Sequence, residues 1–446
     1  MKEIITIHVG GAGCQIGDQL WELYCKEHGI QRAADHHTNN TTSMMESSAA
    51  FSSAESLFYE TSHTEKQQYV PLAIFFDNDS SRVHESRKRF GNLMSSDNMI
   101  GGKEDAANNF VRGCYTIGKE NMDTVLERIR ILSEKCDSLQ GINVVNSLGG
   151  GTGSGSGTLL LDRMSIDFAK VPIHLNTVAP SPKLYDTVVE PYNFCWAMEP
   201  MCEKGCTATF YDNEALYNVC GNHLGINDPK LADINQIIAH HISTSFSSCR
   251  IGSNCAMPVS FGDVNQTLVP IPNFELLTPS FVPFGSAQNE LSMAERGKLA
   301  FSPSNTLISY NILEGKMLSS LLSYRGNVTM GDNFECLSAV KKMEGISMGP
   351  SWIPNTFSCH ISKAPTTLLD DSVLGVVPSE KMLAVTTNTT AITKKLNQIM
   401  VNFDKMYEKR AFVHWYVGEG IEDEYFRYGR SILEEKVATY GELISQ

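Results

Sequence analysis

The 446-residue chain lacks any long apolar run: its longest purely hydrophobic stretches are a handful of residues, against the ~20 that a bilayer-spanning helix needs. Its opening, MKEIITIHVG, carries acid and base at its start and no extended apolar core; it is not a secretory leader, and a cytosolic protein is expected. Positive charge is also short. With 36 Lys and Arg against 50 Asp and Glu, the net charge is -14, which argues against a generic nucleic-acid surface and for solubility or basic partners. Twelve cysteines are scattered from Cys14 to Cys359 with no CxxC and no paired Cys/His spacing, and Cys202 and Cys206 lack a second half-site. Buried reduced thiols are therefore expected rather than zinc or a disulfide framework. His240 and His241 lack HExxH spacing and read as structural. No internal repeat is evident.

What is present is ordinary in bulk and informative in order. Apolar content of 42% and charge of 19% suit a globular protein, and the length implies two or three domains. KEIITIHV predicts a strand with Ile5, Ile7 and Val9 on one face. Gly10, Gly11 and Gly13 interrupt it, and QIGDQLWELYCKEHG predicts a helix closed by Gly29. Residues 31–68, rich in Ser, Thr, Asn and His, read as one long, partly mobile surface loop. Strand-like and helical runs then alternate. LAIFF ends at Asp77 and Asp79; INVVNS leads through glycines into TLLLDRMSIDFAK; VPIHLNTV follows; ATFY ends at Asp212 and Asn213 before EALYNVC. This order predicts an α/β fold with a doubly wound, mostly parallel sheet, whose ligands bind beyond the carboxyl ends of the strands.

DINQIIAHHISTSFSSCR predicts a buried central helix through Ile234, Ile237, Ile238, Ile242 and Phe246. From Met257 to Thr387 prolines and short strands predict a second, α+β domain. Two amphipathic helices close the chain as a helical hairpin, one striped by Ile392, Leu396, Ile399, Met400 and Phe403 and the other by Tyr425, Phe426, Gly429, Ile432, Leu433 and Val437. Gly418 and Gly420 predict the turn between them.

Six of the nine residues in GGGTGSGSG, Gly149 to Gly157, are glycine, set between a buried strand and an amphipathic helix. A flexible linker does not belong there. Glycines at a strand-to-helix turn let the backbone approach a ligand and aim several N–H groups at one anion, so phosphate is the expected guest. No GK[ST] follows, which rules out the triphosphate P-loop; neither glycine cluster meets GxGxxG strictly, and VPIHLNTV ends without an acid. The residues alone point to a nucleotide through neither standard motif.

GGGTGSG resembles the signature of the tubulin family. IHVGGAGCQIG, LWELYCKEHGIQ, GKEDAANNF, VVEPYNFCWAM, DNEALYNVC, LVPIP, NTTAI and KRAFVHWYVGEGIEDEYF follow in tubulin order across nearly the whole chain. The amino-terminal and RAFVHWYVGEG stretches, with TTLLDDSVLGVVPSEK, resemble α rather than β subunits. The resemblance implies a GTP-binding domain (1–213), an intermediate domain with the central helix (214–391) and carboxyl-terminal helices (392–446). It implies GTP and Mg²⁺ as cofactors, β-tubulin as heterodimer partner, and the microtubule lattice and microtubule-associated proteins as further partners, with no membrane and no nucleic acid.

Carried over by position, Gly10, Gly11, Ala12 and Gln15 belong to the first phosphate turn. Asp105, Ala106, Ala107 and Asn108 form the second, and Ser147 with Gly149, Gly150, Gly151, Thr152 and Gly153 the phosphate cradle. Asp79 stands where the family has a glutamate near Mg²⁺ and would act through water. Asp186, Glu190 and Asn213 match ribose and base positions, and Leu231, Asn235 and Ile238 the base pocket, with Asn235 as guanine reader. Gly11 replaces a glutamine, Asp186 a threonine, and Leu231 an aromatic residue whose stacking is worth about 0.5–1.5 kcal/mol.

The resemblance further implies that the acid in FGDVNQT, Asp263, faces the next dimer and orients water on the β-bound GTP, while the chain's own GTP stays unhydrolysed. The family has glutamate there; the shorter aspartate predicts slow hydrolysis, since a ~1 Å misplacement costs about 10²-fold. A plain capping aspartate is an equal alternative. The sequence given ends at YGELISQ without a glutamate-rich tail, and has no lysine between Lys26 and Lys66, so tail modification and acetylation of the lumenal loop are expected to be absent. A tubulin-like protein that dimerises or caps ends without entering the lattice is the competing reading. A Rossmann-type oxidoreductase is the remote one.

Overall fold

All seven residues of β1 (Glu3–Val9) are buried, because helices cover both faces of the sheet around it. Ile5, Ile7 and Val9 enter one hydrophobic cluster and Ile4 another. On that second face Trp21 Nε1 donates to His8 Nε2 at 3.0 Å, and burial pulls the His8 pKa down to about 3. The computed structural model describes residues 2–30, 54–61, 68–91, 93–181, 183–251, 259–285, 288, 290–349, 353, 356–369 and 379–445.

α1 (Gly10–Glu27) starts directly at the end of β1, so Gly10, Gly11 and Gly13, expected to precede the helix, form its first turn. Most of the expected loop 31–68, including its lumenal part, lies outside the described residues. Its described part is not loop alone: β2 (Phe58–Thr61) pairs antiparallel with β3 (Gln68–Pro71), anchored by Phe58 packing edge-on against Trp21 at 5.4 Å. The serine-rich composition hid this aromatic face.

β4 (Ala73–Asp77) feeds α2 (Ser80–Phe90), and β5 (Met99–Gly101) follows. A π-type turn at Arg112–Thr116 opens α3 (Ile117–Glu134), and β6 (Leu139–Ser147) leads through a second, Thr152–Ser156, into α4 (Gly157–Asp167). Next come β7 (Ile173–Ala179), α5 (Glu190–Ala197), α6 (Glu199–Lys204), β8 (Thr207–Asp212), α7 (Asn213–Leu224) and α8 (Leu231–Ser245). α8 stops at Phe246 before a separate turn, α9 (Ser247–Arg250), so the single long central helix expected is broken there.

The second half comprises α10 (Phe261–Leu268), β9 (Leu276–Val282), α11 (Met293–Ala300), β10 (Lys316–Gly326), α12 (Met330–Lys341), β11 (Ser347–Met348), β12 (Phe357–Ser362) and β13 (Lys381–Thr389). α13 (Thr393–Glu408), α14 (Val413–Val417) and α15 (Glu424–Ser445) close the chain, so the expected hairpin contains a short third helix before the glycine turn. Positions 370–378 of the segment compared with α subunits lie outside the described residues.

Apart from the β2–β3 pair, the described strands form one eleven-stranded sheet, β11-β10-β13-β9-β8-β7-β6-β1-β4-β5, with β12 also on β10. The six strands β5-β4-β1-β6-β7-β8 run parallel. β9 joins β8 through only two residue pairs, Ala208–Leu276 and Thr209–Leu277, and antiparallel β13 follows. The strands of the α+β region thus continue the first sheet. A buried ion cluster ties the halves: Glu27 on α1 meets Arg325 on β10 at 2.5 Å and Arg250 at 3.0 Å. Among the described residues no helix is long and apolar enough to cross a membrane.

Candidate functional site

At the carboxyl ends of β4, β1, β6 and β7 lies a cavity of about 310 Å³. Gly10, Gly11, Ala12, Asp79, Asp105, Asn108, Ser147, Gly150, Gly151, Thr152, Gly153, Asp186 and Glu190 line it, together with Val9, Asp77, Arg82 and Thr187. The amino-terminal ends of α1, of α2 and of the helical stretch beginning at Gly151 converge here. Their unpaired N–H groups and partial positive charge make the space an anion site.

The glycines divide into two tasks. Gly10 has φ +75°, and a Cβ there would lie 2.9 Å from Gly153 N, so the first turn touches the cradle directly. Gly155 serves packing: its Cβ would lie 2.2 Å from Phe110 O, just before the first π-type turn. The run expected to be loop as far as Gly157 is therefore loop only through Gly150.

Opposite the cradle, Ala107 and Asn108 take left-handed φ values of 49° and 54°, a conformation that costs non-glycine residues energy and recurs at ligand sites. Asn193 on α5 holds this turn. Its Nδ2 donates to Asn108 O at 2.8 Å and to Gly149 O at 2.7 Å. Its Oδ1 accepts from Phe110 N at 3.1 Å and from Tyr416 Oη at 2.8 Å. Sequence reasoning missed Asn193, although an amide inside the apolar PYNFCWAM was a signal. It missed Arg82 and Thr187 as well.

Burial raises Asp77 to about 6, against hydrogen bonds from Asp79 and Thr152. Burial likewise raises Glu190 to about 7, although its Oε1 accepts from Asp186 N at 2.9 Å and Thr187 N at 3.0 Å. These carboxyls hold protons in the fold at a pH where the unfolded chain has released them, so stability falls as pH rises from about 4 through 7. Heating the chain at pH 6 and pH 8 is expected to show a lower midpoint at pH 8. Glu190→Gln should lose less; an unchanged pH difference in that variant would refute the assignment.

Other expected residues stand apart from the cavity lining. Gln15 is half-buried on α1, Ala106 is buried, and Gly149 and Ala107 shape the two turns without lining the space. Asn213 begins α7 and is half-buried; Leu231 begins α8 and is 47% exposed; Asn235 is half-buried and Ile238 buried on α8. The two helices that carry these four residues, α7 and α8, pack against each other. Asp263 lies elsewhere, on α10, in a capping box with Ser260 whose N donates to Asp263 Oδ2 at 3.0 Å. The Ser260 hydrogen bonds hold its carboxyl below the usual range.

The residues present fit a phosphate group: a Cβ at Gly149, Gly151 or Gly153 would lie 2.9, 2.7 or 2.4 Å from Glu190, Asn109 N or Ser147 O, and three helix ends face the space. For Mg²⁺ the donors are sparse, since no group of three or more His, Cys, Asp or Glu among the described residues could hold an ion. That suits a hard cation shared between one or two carboxylates and phosphate oxygens. Asp79 lines the cavity while its Oδ1 caps α2 by accepting from Ser81 N at 2.8 Å.

A doubly wound sheet with a glycine cradle beyond its strand ends defines a nucleotide-binding α/β protein. Residues 3–221 match the Tubulin/FtsZ family, GTPase domain, and residues 272–401 the Tubulin C-terminal domain. The chain is 37% identical over 448 residues to the tubulin alpha-1 chain of Arabidopsis thaliana, covering 99% of this chain and 97% of that one. It is 38% identical over 451 residues to the nucleomorph tubulin alpha chain of Guillardia theta (100% and 98%), and 38% over 448 residues to the tubulin alpha-2B chain of Physarum polycephalum (99% and 97%). The chain belongs to the tubulin family, as a divergent member similar to α-tubulins. Its first domain is of the GTP-binding, GTPase type.

Proposed function

We propose that the chain is a GTP-binding α-tubulin-like subunit that pairs with β-tubulin, assembles into cytoplasmic microtubules, and supplies in trans an acid for hydrolysis of the β-bound GTP. Its units would be the GTP-binding domain 1–213, the intermediate domain 214–391, and the helices 392–446 that meet microtubule-associated proteins.

The observation that carries this reading is the placement of the two functional ends. The phosphate cradle follows Ser147, at the carboxyl end of β6, whereas Phe261 N at the start of α10 bonds Gln140 Oε1 near the strand's other end at 3.1 Å. Seven residue rises of ~3.3 Å put these ends roughly 23 Å apart along the strand. Asp263 therefore cannot reach the chain's own phosphates. A head-to-tail neighbour, the heterologous contact that builds filaments, would bring it to the next site.

In the chain's own site the cradle, Gly10 and the turn at Asp105–Asn108 would bind phosphates. Asp79 would hold Mg²⁺ through water. Glu190 and Asn213 would contact the ribose and base, and Asn235 would read guanine beside Leu231 and Ile238. That GTP would act as a structural cofactor at the intradimer contact. GTP extracted from the purified heterodimer, together with pelleting of the chain in polymer, is the expected result.

Asp263→Glu keeps the capping box and lengthens the reach, and is expected to speed phosphate release from copolymers by up to ~10²-fold. Equal rates for aspartate and glutamate would remove Asp263 from catalysis. Its engagement in the helix cap favours one second reading, a subunit that dimerises or caps ends without joining the lattice. Failure to pellet, with dimerisation intact, would select it.

A further inference from the structure

The cavity is lined by five carboxyl side chains, Asp77, Asp79, Asp105, Asp186 and Glu190, and by one cation among the described residues, Arg82. A polyphosphate entering such a space meets repulsion that backbone N–H groups offset only in part, so a resident positive charge is valuable.

Arg82 is placed against local preference. It is the third residue of α2, where the helix's own positive end disfavours a cation. Yet its side chain is not turned out to solvent: it is 17% exposed, and Asp18 on α1, 5% exposed, holds its Nη2 at 2.6 Å. Nη1 meets Glu85 on the same helix. Nε is buried with no hydrogen-bond partner among the described residues, which costs free energy unless an acceptor arrives. Position 11 leaves room alongside: a Cβ on Gly11 would have no neighbour nearer than Asp77 Oδ2 at 3.7 Å.

Strand order says which phosphate is in reach. β8, β7, β6, β1 and β4 lie side by side in that order. With the ribose and base beside β7 and β8, as proposed above, and the cradle after β6, the phosphate chain runs toward β4 and ends beside α2. We propose that Arg82 is a phosphate-binding residue positioned by Asp18, and that it makes this site prefer a nucleoside triphosphate over a diphosphate by bonding the terminal phosphate. This rests on the nucleotide reading of the cavity.

The test uses the full chain co-expressed with β-tubulin, diluted to dissociate the dimer so that the intradimer site can exchange, and re-associated with an 8-azido guanine nucleotide, which is photo-crosslinked to this chain and resolved from its partner on a gel. Competition by GTP and by GDP is compared for the wild type, Arg82→Gln, Arg82→Lys and Asp18→Asn. Arg82→Gln is expected to weaken GTP competition by ~10- to 100-fold, the scale of a charge-assisted hydrogen bond, with GDP competition changed less than about twofold. Arg82→Lys should recover part of the loss, and Asp18→Asn should show part of it. A wild-type chain that crosslinks specifically while Arg82→Gln keeps the same GTP-to-GDP ratio overturns the role of Arg82 and leaves the site standing. Equal weakening for both nucleotides reveals a structural role and also overturns it. No guanine-specific labelling of the wild type removes the nucleotide reading, and this inference with it. If Arg82→Gln does not fold, the ratio in Arg82→Lys decides alone, since lysine keeps the charge but not the fork.

Discussion

Asn193→Ala is expected to lower stability by about 4 kcal/mol and to empty the nucleotide site. The side chain is fully buried and makes four hydrogen bonds that tie the Asn108 turn, the glycine cradle and α14 together. Alanine strands two carbonyls, one backbone N–H and one tyrosine hydroxyl, each costing about 1–3 kcal/mol where water cannot replace the lost partner. Against a total stability of ~5–15 kcal/mol this is a large fraction. The thermal midpoint should drop by roughly four degrees for a chain of 446 residues. Nucleotide retention should fall further, because among the described residues it is Asn193 Nδ2 that bridges Asn108 O and Gly149 O. Asn193→Asp keeps the acceptor and loses both donated bonds, so it separates the cradle from the α14 contact. An alanine variant within two degrees of wild type, still carrying its nucleotide, would show that the turn and cradle hold their shape without this amide.

Lys395→Ala should be of similar size for a different reason. Lys395 on α13 meets Asp212 at the end of β8, and both side chains are 0% exposed. Asp212 Oδ1 caps α7 through Glu214 N at 3.0 Å and also accepts from Ser181, and Oδ2 accepts from Ser309. Burial pulls the Lys395 ammonium below its ordinary pKa while Asp212 opposes that shift. Removing one partner of a buried pair leaves an uncompensated charge, at a cost of about 3–5 kcal/mol, whereas replacing both with uncharged groups is often neutral. Lys395→Ala is thus expected to unfold at markedly lower temperature, and the double variant Asp212→Asn with Lys395→Met to recover most of the loss, since asparagine still caps α7. Single and double variants with additive effects would mean that the pair is not coupled as the geometry requires.

The outline of the phosphate site was legible because its signals are local. β1 runs into a glycine turn, β6 into another, and β4, β6 and β8 end at or beside an acid or amide, Asp77, Asn146 and Asp212. Some local features still misread. Glycines that suggest loop also let helices cross closely, which is why Gly151 to Gly157 became helix where Phe110 and Gly113 press against them. A serine-rich stretch hid the β2–β3 pair, whose aromatic face matters only once Trp21 is beside it.

By itself the sequence determined the parallel sheet, the glycine turns at its rim and the family to which the chain belongs, because periodicity and turn chemistry are properties of neighbours along the chain. Only the tertiary structure decided which polar groups work together. Arg82 finds Asp18 across 64 residues, Lys395 finds Asp212 across 183, and Tyr416 finds Asn193 across 223. Such pairs leave no periodic trace. They form where folding removes water and makes a buried charge or amide take whatever partner the packing brings within reach.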